Sequence, residues 1–177
     1  MTHQAEPAAV DVIVTGGIVI TMNAARTIYN DGAVAIKADK IVAVGKASDI
    51  SRQFKAATQI DAQGGLIMPG LIDAHNHPGQ YLSKGIGDDV GILQWLYERV
   101  YPYEAHCDED DVYLSSLGNF VEMILNGTTC FCDPGGYHEH SLARAAKDIG
   151  IRGIVSRSTR DLHSSSYPLP DNLRETT

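Results

Sequence analysis

Cysteine is scarce in this 177-residue chain: Cys107, Cys130 and Cys132 are the only three. They form no CxxC pair, and an odd count argues against a disulfide framework. Reduced thiols and a cytoplasmic location are the expectation. Basic residues are also in short supply, with 14 Lys and Arg against 22 Asp and Glu, for a formal net charge of −8. Such a surface repels polyanions, which makes nucleic acid and anionic membranes poor partners. No apolar run approaches the length needed to cross a bilayer. Residues 1–10 lack the basic and apolar regions of a secretory signal, so none is expected. Repeats and low-complexity segments are missing too. What remains is ordinary globular composition, 44% hydrophobic and 20% charged, enough for a medium domain or a small domain with part of a larger one.

The pattern of apolar residues changes along the chain. Residues 10–14 and 17–22 are short β-rich runs broken by Gly16-Gly17. Residues 33–37 and 40–44 flank Ala38-Asp39 and read as a hairpin with a two-residue connection. A further strand is expected near residues 58–61, and Gly64-Gly65 closes a small β domain over residues 1–65 with few helical signals. Residues 66–74 are apolar apart from the Pro69-Gly70 turn, as expected of a buried strand. Ile92, Leu93, Leu96 and Val100 then share a helical face, which Pro102 is expected to end. Asp108 is a good N-cap for a helix carrying Leu117, Phe120, Val121, Ile124 and Leu125 and stopped by Gly127. Its acidic first turn complements the helix dipole. Residues 128–132 read as a strand that places Cys130 and Cys132 on one face. Residues 141–149 read as a helix stopped by Gly150, residues 151–155 as another strand, and residues 164–177 as loop. Strand, helix, strand, helix, strand is the start of a parallel α/β architecture.

Chemistry concentrates in Pro69-Gly70-Leu71-Ile72-Asp73-Ala74-His75-Asn76-His77-Pro78. Side chains alternate along extended backbone, so His75 and His77 leave it on the same side and can converge on one cation. They follow an apolar strand and precede a loop, the functional end of a strand in a parallel barrel. A bare HxH is as often two ordinary histidines as a metal site, and here the strand-end placement shifts the weight to metal.

The run Met68 to His77 resembles the first-strand motif of the amidohydrolase superfamily. Ser83-Lys84-Gly85-Ile86-Gly87-Asp88-Asp89, Trp95-Leu96, Pro102-Tyr103-Glu104, Asn126-Gly127-Thr128-Thr129 and Asp133 extend the likeness. They are similar to the branch containing S-adenosylhomocysteine and methylthioadenosine deaminases, guanine-type deaminases and triazine hydrolases such as atrazine chlorohydrolase. The resemblance implies an α/β fold: the first strands of a (β/α)8 TIM-like barrel over residues 66–177, preceded by a small, sandwich-like all-β domain. It implies one divalent metal ion, zinc with iron as the alternative, held in part by His75 and His77. Glu104 matches a carboxylate that binds a ring nitrogen of the heteroaromatic substrate, and Trp95 matches a position near the pocket. On position alone Glu104 reads as a solvated loop acid and Trp95 as core. Asp133 reads as turn chemistry before Pro134-Gly135-Gly136. His138, His140 and His163 read as exposed loop histidines outside the site.

A complete barrel takes about 250 residues, and roughly 110 follow residue 66, enough for about three of eight strands. The chain is therefore expected to be an N-terminal part, with its catalytic residues downstream and no activity alone. An open sheet of that size should leave Ile72, Ile124, Phe131 and Val155 short of packing partners. The activity implied for the whole protein is hydrolysis of a non-peptide carbon–nitrogen bond. The first choice is deamination of an aminopurine, aminopyrimidine or nucleoside-like ring by a homo-oligomer. A triazine chlorohydrolase or cyclic amide hydrolase is the alternative within the class. A non-catalytic structural barrel, or an inactive truncated product, is the alternative outside it.

Overall fold

The computed structural model describes residues 6–158; the loop expected over residues 164–177, and His163, lie outside the described residues. The chain divides into two compact units, Met1–Pro69 and Gly70–Thr177.

The first unit is a five-stranded sheet built from β1 (Ala8–Ile20), β2 (Ile28–Lys37), β3 (Lys40–Lys46), β4 (Phe54–Asp61) and β5 (Leu66–Ile67), with helix α1 (Ala47–Gln53) between β3 and β4. Its order is β3-β2-β1-β4, and β5 also pairs with β1. The hairpin forms in the expected register, with Lys37 opposite Lys40. The two runs expected on either side of Gly16-Gly17 are instead one strand with a register shift between Val14 and Gly17. Across those glycines β1 changes its parallel partner, from β4 ending at Thr15↔Asp61 to β5 beginning at Ile18↔Leu66. A bulge absorbs the change without ending the strand. Helix α1, which the local pattern did not announce, buries Ile50 against Val10, Ile13, Ala33 and Ala35.

The second unit holds three parallel strands in the order β6-β7-β8. These are β6 (Leu71–Asp73), β7 (Thr128–Gly136) and β8 (Arg152–Arg157). Between β6 and β7 come a 3-10 turn (Pro78–Ser83), helix α2 (Ile92–Gln94), a π-helical stretch (Trp95–Val100), α3 (Tyr101–His106) and α4 (Glu109–Leu125). Helix α5 (Glu139–Ile149) joins β7 to β8. Helix α4 starts where its sequence indicates. The Asp108 carboxylate accepts the Asp110 and Asp111 amides, each at 2.9 Å, and the Asp111 carboxylate accepts the Asp108 amide at 3.1 Å. That reciprocal cap satisfies donors the helix leaves orphaned and is worth about 1 kcal/mol. Gly127 and Gly150, at φ 84° and 82°, end α4 and α5 in the left-handed conformation that favours glycine.

The core of this unit joins α4, β7 and α5 through Phe120, Phe131, Leu142 and Ala145, with the two phenylalanine rings 4.7 Å apart. Phe131 is therefore fully buried rather than short of partners, and Val155 packs against the same cluster. Helices cover that side of the sheet, which is why these two positions escape the expectation. Ile72 and Ile124 do stay exposed, at 71% and 42%. Residues 66–74 are not one buried strand. They split at Pro69-Gly70 between the sheets of the two units, and Leu71 and Ile72 are exposed because β6 pairs only with β7 among the described residues. Pro102 does not end its helix either. The π-helical stretch before it widens the backbone register, so the proline falls in the first turn of α3, where a missing N–H is tolerated. Among the described residues no helix is long and apolar enough to cross a membrane.

Candidate metal centre

Strand β6 ends at Asp73 and the chain bends at Ala74-His75, yet His75 and His77 remain neighbours. The amide of Asn76 donates to the Cys132 carbonyl of β7 at 2.9 Å, continuing the ladder past the strand end. Asp73 fixes the turn: its carboxylate accepts the His75 amide at 3.2 Å and the Asn76 side-chain amide at 2.8 Å. The histidines flanking Asn76 then stand edge to face, ring centroids 5.1 Å apart at 76°. Two imidazoles bonded to one tetrahedral ion at about 2.0–2.1 Å place their ring centroids about 5 Å apart. The pair thus fits a shared cation, and nitrogen donors suit zinc or another first-row metal.

Electrostatics favours the ligand form of His77. Burial, then the neighbouring His75, lower its pKa, and a backbone hydrogen bond to Gly135 opposes them. The neutral ring that results is the form that binds metals. Asp133 lies beside it, with Oδ1 3.8 Å from His77 Nδ1. Burial pushes the Asp133 carboxyl up to about 6, against the pull of the Gly135 and Ser156 backbone and of His75. Its Oδ2 is buried and has no hydrogen-bond partner among the described residues. Among those residues no three His, Cys, Asp or Glu side chains are grouped to hold a metal ion.

A cavity next to His77 is lined by Gln80, Glu104, Asp133 and Tyr137 among others. Glu104 is on α3, half-buried, and its Oε1 accepts a hydrogen bond from Gln80 Nε2 at 2.7 Å. That setting is unlike a solvated loop acid. Trp95 packs with Tyr137 against Val100 and Tyr101, a core position one neighbour removed from the cavity wall. His138 adopts φ 54° and places Nε2 3.1 Å from the Cys107 carbonyl, while the His140 side chain is 99% exposed.

From sequence, Asp133 reads as turn chemistry and Gln80 receives no reading. Asp133 is inside β7, paired with Val155 and only 2% exposed. Strand parity carried the signal: Phe131 and Asp133 share one face of β7, so a buried Phe131 implies a buried carboxylate two residues on. Gln80 carried no such signal, because its role depends on a helix 24 residues away.

The family model described as Amidohydrolase family matches residues 66–176. The 5-methylthioadenosine/S-adenosylhomocysteine deaminase of Syntrophobacter fumaroxidans is 37% identical over 167 residues, 94% of this chain and 38% of that protein. Among solved structures, an adenosine deaminase from Xanthomonas campestris with bound zinc matches with a TM-score of 0.85 at 26% identity, covering 96% of this chain and 39% of that one. Atrazine chlorohydrolase from Arthrobacter aurescens TC1, complexed with zinc, matches with a TM-score of 0.76 at 28% identity, covering 92% and 39%. The chain belongs to the amidohydrolase family. Its second unit is the opening βα segment of a (β/α)8 barrel, and a small β domain precedes it. The chain spans under two fifths of the length of these relatives.

Proposed function

We propose that this chain contributes the first part of a metal-dependent hydrolase that removes an amino group from a heteroaromatic ring, in an aminopurine, aminopyrimidine or nucleoside-like substrate. The single observation that supports this most is the His75–His77 pair at the end of β6, spaced for one shared cation. In this reading residues 1–65 open the small β domain and residues 66–177 form the first three βα units. His75 and His77 are two ligands of a divalent ion, zinc or alternatively iron. When bound, such an ion supplies Lewis acidity that makes water a usable nucleophile at neutral pH. Glu104 holds a ring nitrogen of the substrate and gives it a proton, with Gln80 fixing its orientation. Trp95 supports the pocket from behind. Two imidazoles alone under-coordinate zinc, so the 177-residue chain by itself has no turnover. The whole protein is a cytoplasmic homo-oligomer acting on a small molecule. The likeness to atrazine chlorohydrolase favours one second reading, in which the leaving group is chloride on a triazine.

The test uses the complete protein, with His75→Ala combined with His77→Ala, and Glu104→Gln separately. The double variant should elute from gel filtration as the parent does but carry no metal and release no ammonia from aminopurine nucleosides. Glu104→Gln should keep its metal and lose roughly 10²-fold or more in kcat/KM. Full metal occupancy in the double variant would remove these histidines from the site.

A further inference from the structure

We infer that Asp133 is a positioning residue for His77: its buried carboxylate selects the tautomer that carries the proton on Nδ1 and leaves Nε2 for the cation. The inference rests on the reading of His75 and His77 as metal ligands. A neutral imidazole offers one lone pair, and which nitrogen bears it is set by the hydrogen bond the other nitrogen makes. In water the Nε2–H form predominates, so a histidine that must ligate through Nε2 needs an acceptor near Nδ1.

Asp133 is placed to be that acceptor. Nδ1 is the His77 nitrogen that pairs with it, 3.8 Å from Oδ1. The distance exceeds a hydrogen bond of about 2.7–3.2 Å, and a ring rotation closing about 1 Å makes one. Asp133 has the capacity to accept it, since Oδ2 is buried with no partner among the described residues. A buried polar atom left this way costs stability, and a site is where such a cost is retained. The carboxylate is also held in place. The Gly135 backbone hydrogen-bonds both His77 and Asp133, and the Ser156 backbone hydrogen-bonds Asp133. Gly135 adopts φ +123°, and a Cβ there would meet the Ser158 amide nitrogen at 2.5 Å and its Cα at 2.7 Å. The end of β7, two residues from Asp133, thus runs close against the chain where it leaves β8.

The experiment uses the complete protein, metal-free and labelled with 15N-histidine. Long-range 1H–15N spectra report the tautomer, and His77→Gln assigns the His77 signals. The parent should show His77 as the Nδ1–H form. Asp133→Ala should shift it towards Nε2–H, whereas Asp133→Asn keeps a carbonyl oxygen and should largely retain the parent form. Titration with Co2+, followed by absorption and by the His75 and His77 signals, should weaken at least 10-fold for Asp133→Ala and less for Asp133→Asn. A residue that merely braced the strand end would not set the tautomer. An Nε2–H parent, or a folded Asp133→Ala with unchanged tautomer and Co2+ affinity within twofold, overturns the inference. If Asp133→Ala does not fold, Asp133→Asn decides: a retained Nδ1–H form with at least twofold weaker Co2+ binding supports it, and an Nε2–H form or unchanged affinity overturns it. A parent with Nδ1–H that takes up no Co2+ at His75 and His77 would sink the metal reading instead and leave the tautomer assignment standing.

Discussion

The two units bury different things. The buried cluster of the first is wholly apolar, Val10, Ile13, Ala33, Ala35 and Ile50, between strands whose backbones pair with one another. The second also buries Ser115, Ser116, Asp133 and Ser141. All four buried side-chain atoms without a partner among the described residues, on Asn76, Ser116, Asn119 and Asp133, belong to it. Two of the four, on Asn76 just beyond β6 and on Asp133 within β7, lie beside the histidines. The first unit therefore reads as a scaffold that satisfies itself, and the second as one that keeps polar capacity for something it binds.

The sharpest way to break that comparison is to remove the second unit's core. Phe131 is 1% exposed and stacks on Phe120. Phe131→Ala should cost about 3–5 kcal/mol, lost transfer energy plus a cavity that cannot fully collapse. Hydrogen exchange would show protection lost in β7, α4 and α5 and retained in β1 and β2. Equal loss in β1 and β2 would mean that the units unfold together and that the contrast between them has no energetic meaning.

A smaller effect of opposite sign comes from Asp133. Its folded pKa, about 6, lies above the ordinary 3.8. A raised carboxyl is protonated and costs nothing at low pH. The penalty grows as pH climbs through about 4 to 6 and is complete above that, up to about 3 kcal/mol for a shift of this size. In chelator, the parent should lose stability between pH 4 and pH 7.5 that Asp133→Asn does not lose. His77, whose pKa is lowered, works the other way as pH falls, and because it touches Asp133 the difference between the two proteins belongs to the pair. Parallel melting-temperature profiles for the two proteins would show that the carboxyl carries no such penalty.

How much of this was legible in the sequence follows the same division. Short-range rules worked: the hairpin register at Lys37 and Lys40, the Asp108 cap, the Gly127 and Gly150 stops, and the HxH pair were all readable, because each depends on residues within a turn of one another. Failures came where a distant partner overrides a local preference. Pro102 reads as a stop, yet a widened helical turn before it carries the chain through. Asp133 reads as a turn residue, yet β8 extends past Val155 and encloses it. Gly16-Gly17 reads as a break, yet β2 stays paired across it while β1 exchanges β4 for β5. The His75–His77 pair was visible in one segment, but Gln80 beside Glu104 needed the fold.

The smallest expected effect tests the self-satisfied character of the first unit at its most local point. Ala38 opens the two-residue connection between β2 and β3 with φ 52°. Hairpin connections of this length require positive φ at their first central position and favour glycine there. An L-residue in the left-handed region costs about 1–2 kcal/mol, and glycine gives back about 0.5–1 kcal/mol through its greater freedom in the unfolded chain. Ala38→Gly should therefore stabilise by roughly 0.5 kcal/mol, the difference between those costs. The Ala38 amide donates to Asp11 Oδ2 at 2.6 Å, a backbone contact that the substitution keeps. The gain should appear as slower hydrogen exchange in β2 and β3 alone, with His75 and His77 signals and Co2+ binding unchanged. A stability gain that also moved those histidine signals would show that the β sheet tunes the candidate site, and the division between scaffold and site would have to be redrawn. A loss of stability would mean that the connection holds Ala38 without strain, through the Asp11 contact, and that the first unit is better fitted to its own sequence than the positive φ implies.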